Sequence, residues 1–144
     1  MKKILIINGP NLNVIGDREK DVYGEGSYDA LKKSLQTLAK ELSVSVEVFQ
    51  SNSEGEIVTR IQEAKGEFDG IVINAGALTH YSYATYDALK YTELPVVEVH
   101  ISNIFQREEF RKTSVLSSAC VGIISGLGRK GYEYAVRFLA ESGK

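Results

Sequence analysis

Five short runs rich in β-branched residues, KILIIN, VSVEVF, DGIVIN, PVVEVH and CVGIIS, recur along the chain with helix-like stretches between them. Near-continuous apolar runs of this length are what strands covered on both faces look like, because a strand with one wet face alternates. The alternation predicts five parallel strands joined by right-handed helical crossovers, with helices on both faces of one sheet. The first helix is expected to begin near Ser27 and to carry Leu31, Leu35, Leu38 and Leu42 on one stripe. Ser53 and Glu56 form a capping-box pattern ahead of Ile57 and Ile61. The last helix is expected from about Lys130 to the C-terminus, with Tyr132, Ala135, Val136 and Leu139 on its apolar side.

Crossovers of this kind give a flavodoxin-like, doubly wound α/β sheet of strand order 2-1-3-4-5, in which ligands bind beyond the carboxyl ends of the strands, near the switch between strands one and three. The polar residues of the chain gather there. Strand one ends at Asn8 and leads to Asn11 and Asn13, strand three ends at Asn74 and leads to His80, and strand four ends at His100 and Ser102. An apolar interior could not hold so many amides without partners, at roughly 1–3 kcal/mol for each unpaired group, so the three asparagines after strand one are expected to line a polar pocket. Asn13 suits a plain turn equally well.

A length of 144 residues fits one domain, 1–144, and no linker or repeat divides it. The net charge of −2 and scattered Lys and Arg leave no basic footprint, so a nucleic-acid partner is not expected. The single cysteine, Cys120, excludes an internal disulfide and reads as a buried, inert core thiol. The apolar run near the N-terminus is too short for a secretion signal or a membrane span, so no membrane partner and a cytoplasmic location are expected.

Several chemistries are disfavoured by spacing. The segment from Gly9 to Gly16 is no phosphate loop, since Asp17 stands where a lysine would be needed. GLGRKG, residues 126–131, follows the last strand and reads as a turn and helix start rather than a dinucleotide fingerprint. A phosphoreceiver would need acids where this chain has asparagines. The two histidines, His80 and His100, make no ligand set, so no metal or other cofactor is expected.

The stretch EVHIS is more specific. Side chains alternate along a strand, so Glu98, His100 and Ser102 share a face, and Glu98 can hold one imidazole nitrogen while the other meets the pocket. The loop from Gly9 to Gly26 is long for a compact α/β unit and carries Arg18 and Tyr23 between glycines, as a lid would.

NGPNLNVIGDREKDVYG, INAGALTHYSYATYDAL and EVHISNIFQREEFR together resemble the type II 3-dehydroquinate dehydratases over nearly the full chain. That family is flavodoxin-like and cofactor-free, and it dehydrates 3-dehydroquinate reversibly to 3-dehydroshikimate by anti elimination through an enolate, in the shikimate and quinate pathways. The resemblance implies that Tyr23 is the base, supported by Arg18, and that His100 is the acid. It further implies that Asn11 holds a water or the enolate, and that Asn74, Ser102 and the Ile101 backbone receive the substrate carboxylate. His80, Arg111 and Asp87 resemble the groups that contact ring hydroxyls. It also implies a homo-oligomer, a dodecamer built of trimers, in which Asp87 reaches a neighbour's substrate.

The chain departs from the family pattern at several places: Lys20 and Ala75 stand where prolines are common, Tyr86 where an arginine precedes Asp87, and Phe105 with Gln106 where a His-Ala pair is usual. None removes a proposed catalytic group. The alternative expectation is a catalytically idle, small-anion-binding or regulatory protein of the same fold, which retention of Arg18, Tyr23 and His100 disfavours.

Overall fold

The computed structural model describes residues 1–16 and 27–142. Strands β1 (Lys3–Asn8), β2 (Ser45–Gln50), β3 (Gly70–Asn74), β4 (Val96–His100) and β5 (Gly122–Ser125) form one sheet of order β2-β1-β3-β4-β5. Every pairing is parallel, as the apolar runs predict. Helices α1 (Tyr28–Leu42) and α4 (Lys130–Glu141) cover one face, where Leu35, Leu38, Val136 and Leu139 meet Ile4, Ile6, Val72 and Val99. Helices α2 (Glu54–Ala64) and α3 (Tyr83–Thr92) cover the other, where Ile57, Ile61 and Leu89 meet Leu5, Ile7, Ile71 and Ile73. Ile4, Leu5, Ile6 and Ile7 of β1 are all fully buried. Each contributes roughly 1.5–3 kcal/mol by leaving water, so the strand that launches the first loop of the site is firmly held. Among the described residues no helix is long and apolar enough to cross a membrane.

The helix starts follow their caps, with one change. Ser27 accepts the Ala30 N–H at 3.1 Å, and α1 begins at the next residue. At α2 the Ser53 hydroxyl accepts the Glu56 N–H at 3.2 Å, but the Glu56 carboxylate does not close the box. It takes the Ser51 hydroxyl instead, and Ser51 accepts the Ser53 N–H at 2.9 Å, so a third residue relays the cap. Helix α4 ends at Glu141, where Ser142 turns extended, rather than running to the terminus.

Strand β5 corrects the expectation of burial on both faces. It lies at the sheet edge and pairs only with β4, leaving Val121 and Ile123 exposed. Its other face is tightly covered, since a Cβ at Gly131 of α4 would lie 3.2 Å from Ile124 and 3.3 Å from Val99. Cys120, just before β5, is half-buried rather than fully so; burial pushes its thiol up to about 12, which keeps it protonated and inert.

Candidate active site

Register brings the strand ends together. Asn8 and Asn74 are partners across β1 and β3, and His100 pairs with Ser125 across β4 and β5. The loops after β1 and β3 then cross backbone against backbone. A Cβ at Gly9 would sit 2.3 Å from the Ala75 carbonyl oxygen, and one at Gly76, whose φ is +61°, would sit 2.8 Å from that of Pro10. Only glycine permits both approaches. The Gly9 N–H donates to the Asn74 carbonyl at 2.8 Å and locks the crossing.

Above this crossing lies a cavity of about 620 Å³, counted to its open mouth, lined by Asn11, Asn74, His80, His100, Ile101, Ser102, Arg107 and Arg111 together with apolar residues of the two loops. Seven of these eight were expected from the sequence.

His100 is buried at the end of β4, its Nε2 2.5 Å from the Glu98 Oε2. The other carboxylate oxygen of Glu98 accepts the hydroxyls of Ser114 at 3.0 Å and Ser117 at 2.6 Å. Burial alone would push the Glu98 carboxyl up, but the hydrogen bond from His100, that from Ser117, the nearby imidazole charge and the bond from Ser114 outweigh it and hold the group below the usual carboxylate range. An ionised Glu98 can only accept, so Nε2 of His100 donates to it, and Nδ1 remains to exchange a proton.

His80 is fixed differently. Its Nδ1–H donates to the Thr113 carbonyl at 2.8 Å, and its ring meets Phe110 edge-on. Burial lowers its pKa, the charges of His100 and Arg111 lower it further, and the Thr113 carbonyl opposes them only in part. At neutral pH it is an uncharged imidazole with Nε2 as an acceptor. Arg111 lies 3.1 Å from the Glu108 carboxylate and stacks over Phe110 at 4.8 Å, which orients its guanidinium. Asn11 takes a left-handed backbone, φ +72°, a conformation that asparagine tolerates, and its N–H donates to the Asn52 side chain at 2.9 Å.

Two of the three asparagines after strand one do not line the cavity. Asn8 is fully buried beneath it, bonded to Tyr132 and Tyr28, because a residue at a central strand end points into the layer under the loops. Asn13 is exposed in a short 3-10 turn and lies 3.5 Å from Gln50 Nε2, so it serves the turn. Ser102 lies beyond the end of β4, so strand alternation does not place it, although it does line the cavity. Asp87 is exposed on α3 and does not line this chain's own cavity. Tyr86 beside it packs partly against the core, Ala75 is buried, and Phe105 is exposed. Arg18, Tyr23 and Lys20 fall outside the described residues.

Sequence reading missed Arg107, whose Nη1 lies 3.4 Å from the Ser102 hydroxyl. No periodic signal marks it, because Arg107 lies between two short 3-10 turns rather than on a helix face. Among the described residues no cluster of three or more His, Cys, Asp or Glu could hold a metal ion.

Comparison with known proteins gives the family and the fold. The family described as dehydroquinase class II matches residues 2–140. A 3-dehydroquinate dehydratase of Caldicellulosiruptor saccharolyticus is 57% identical over 98% of each chain, and one of Thermotoga neapolitana is 53% identical over 99% of each. The crystal structure of a type II dehydroquinase from Butyrivibrio crossotus superposes with a TM-score of 0.94 at 51% identity, covering 96% of this chain and 97% of that one.

Proposed function

Because the chain belongs to the class II dehydroquinase family, we propose that it is an enzyme that removes water from 3-dehydroquinate to give 3-dehydroshikimate, and that the work divides among its residues as follows. Tyr23 takes the proton alpha to the ketone, and the C–H electron pair becomes an enolate. A tyrosine near pKa 10 must be brought down by roughly 2–3 units to serve at neutral pH, about 3–4 kcal/mol of preferential stabilisation of the phenolate, which the Arg18 guanidinium supplies. Asn11, with a water, donates to the enolate oxygen as its charge develops. The enolate collapses, the C–O bond to the β-hydroxyl breaks, and His100 gives that oxygen the proton with which it leaves as water. Proton return from Tyr23 to His100 through solvent restores both groups.

Asn74, Ser102 and the Ile101 backbone receive the substrate carboxylate, and His80 and Arg111 contact its ring hydroxyls, with Asp87 supplied by a neighbouring copy in a symmetric assembly. The observation that carries the reading is the His100–Glu98 pair, 2.5 Å apart, opening onto the same cavity as Asn11 and Asn74. A histidine held by a buried carboxylate has a fixed tautomer, as a general acid requires. The test is to incubate the purified protein with 3-dehydroquinate and follow the absorbance of the conjugated enone. Steady product formation is expected; binding without turnover would make the idle binding protein the better reading.

A further inference from the structure

Beneath the cavity a hydrogen-bonded chain runs from the buried Asn8 and Tyr132 up to Asn74, which lines the cavity itself. Tyr132, the third residue of α4, is fully buried and stands under the paired ends of β1 and β3. Its hydroxyl donates to the Asn8 Oδ1 at 2.6 Å and accepts from the Asn74 Nδ2 at 2.9 Å. Asn8 continues outward through its Nδ2 to the Tyr28 hydroxyl at 3.2 Å, and Asn74 continues through its Oδ1, which accepts the Gly76 N–H at 3.3 Å. Every direction in this chain is set. The Tyr132 proton is committed to Asn8, so its oxygen can only accept from Asn74.

We propose that Tyr132 is a positioning residue that fixes which way round the Asn74 amide sits, so that a hydrogen-bond donor rather than a carbonyl is offered to the substrate. Turned over, the Asn74 amide would set its carbonyl against the Tyr132 oxygen and its NH2 against the Gly76 N–H, two mismatched contacts in a buried place, each costing roughly 1–3 kcal/mol. In the observed orientation one Nδ2 hydrogen goes to Tyr132 and the second is left for the cavity that Asn74 lines. Burial raises the Tyr132 pKa well above its ordinary value, so the hydroxyl keeps its proton throughout the working range. The role rests on the proposed function, in which Asn74 meets the carboxylate of 3-dehydroquinate.

The test is steady-state kinetics with 3-dehydroquinate. Tyr132→Phe keeps the ring and removes the hydroxyl, and should raise KM about tenfold while kcat stays within about threefold. A loss of packing alone would lower the folded fraction, and so kcat, with KM unchanged. Asn8→Ala gives a second route that leaves Tyr132 in place: its hydroxyl is then free to turn onto the Asn74 carbonyl, and the same rise in KM is expected. In an Asn74→Ala background, Tyr132→Phe should change KM by less than about twofold, since the group it orients is gone. A wild-type KM in Tyr132→Phe or in Asn8→Ala overturns the proposal, as does a full multiplicative effect in the Asn74→Ala background. A wild-type protein that forms no enone would instead remove the functional reading beneath it.

Discussion

At the ends of β1 and β3 the cavity rests on neutral groups, Asn8, Tyr132 and Asn74 in a row of hydrogen bonds, whereas at the end of β4 it rests on an ion, the Glu98 carboxylate beneath His100. Both arrangements are buried and both are fixed by hydrogen bonds, but they do different things. The neutral row has no group that titrates near pH 7, so it holds an orientation and nothing else. The ionic end holds a proton as well as an orientation. A carboxylate taken out of water is tolerable only when donors surround it, and Glu98 has the imidazole and two serine hydroxyls. In the proposed function, substrate placement at the ends of β1 and β3 thus falls to groups that ignore pH, and proton transfer to the ionic end.

The largest effects should come from the proton carriers themselves. His100→Asn keeps a polar side chain of similar reach but cannot deliver a proton, so kcat should fall by about 10³-fold with KM near wild type. Tyr23→Phe should lower product formation by a similar order while substrate binding, read by calorimetry, persists. A near-normal rate in either variant would break the division between placing and proton-moving groups.

Removing the ion without removing the acid should do less. Glu98→Gln leaves His100 in place with a neutral partner that can no longer stabilise positive charge on the ring, and kcat should fall about 10²-fold. Ser117→Ala, which strips one donor from Glu98, should lower kcat by no more than about tenfold. If Ser117→Ala costs as much as Glu98→Gln, the serines act on substrate rather than on the carboxylate.

The same pair predicts an acid weakness that the neutral row lacks. The Glu98 carboxyl titrates in the folded state below its unfolded value near 4.5, so the unfolded chain binds the proton more readily. The stabilisation is therefore fully present above about pH 4.5 and is lost as pH falls through the lower, folded value. The difference in Tm between wild type and Glu98→Gln should be constant from pH 7 to 5 and shrink below that. Tyr132→Phe should show a Tm difference that does not change with pH over the same range.

The comparison also shows what the sequence could reveal. The strand order, the convergence of His80, His100 and Asn74 on one rim, and the Glu98–His100 pair were legible because strand periodicity and the switch-point rule are local or topological. The role of Tyr132 was not. As one apolar-side residue among Ala135, Val136 and Leu139, it looks like packing, and only the fold sets its hydroxyl between two asparagines that lie 124 and 58 residues away in the chain. Arg107 was hidden for a related reason, since its segment folds as short 3-10 turns whose faces no simple period describes. The exposed face of β5 escaped because an edge strand and a central strand can share one apolar composition.

The smallest predicted effect comes from Asn13, the asparagine of this loop that does not line the cavity. Asn11 and Asn13 are two residues apart in the same loop, equally polar, and indistinguishable by residue type. The left-handed backbone at Asn11 separates them: Asn11 comes to line the cavity, while Asn13, in the turn that follows, faces Gln50 at a distance where a hydrogen bond is weak. Asn13→Ala should therefore leave kcat and KM within about twofold of wild type and change stability by no more than about 0.5 kcal/mol, as a surface substitution does. Asn11→Ala should lower kcat at least tenfold, because in the proposed function it removes the donor that meets the developing charge. Alanine is strained at the φ of +72° that Asn11 adopts, so Asn11→Gly, which tolerates that backbone, is the control for it, and a loss of rate in Asn13→Ala as well would mean that the turn as a whole, and not the amide of Asn11, shapes the site.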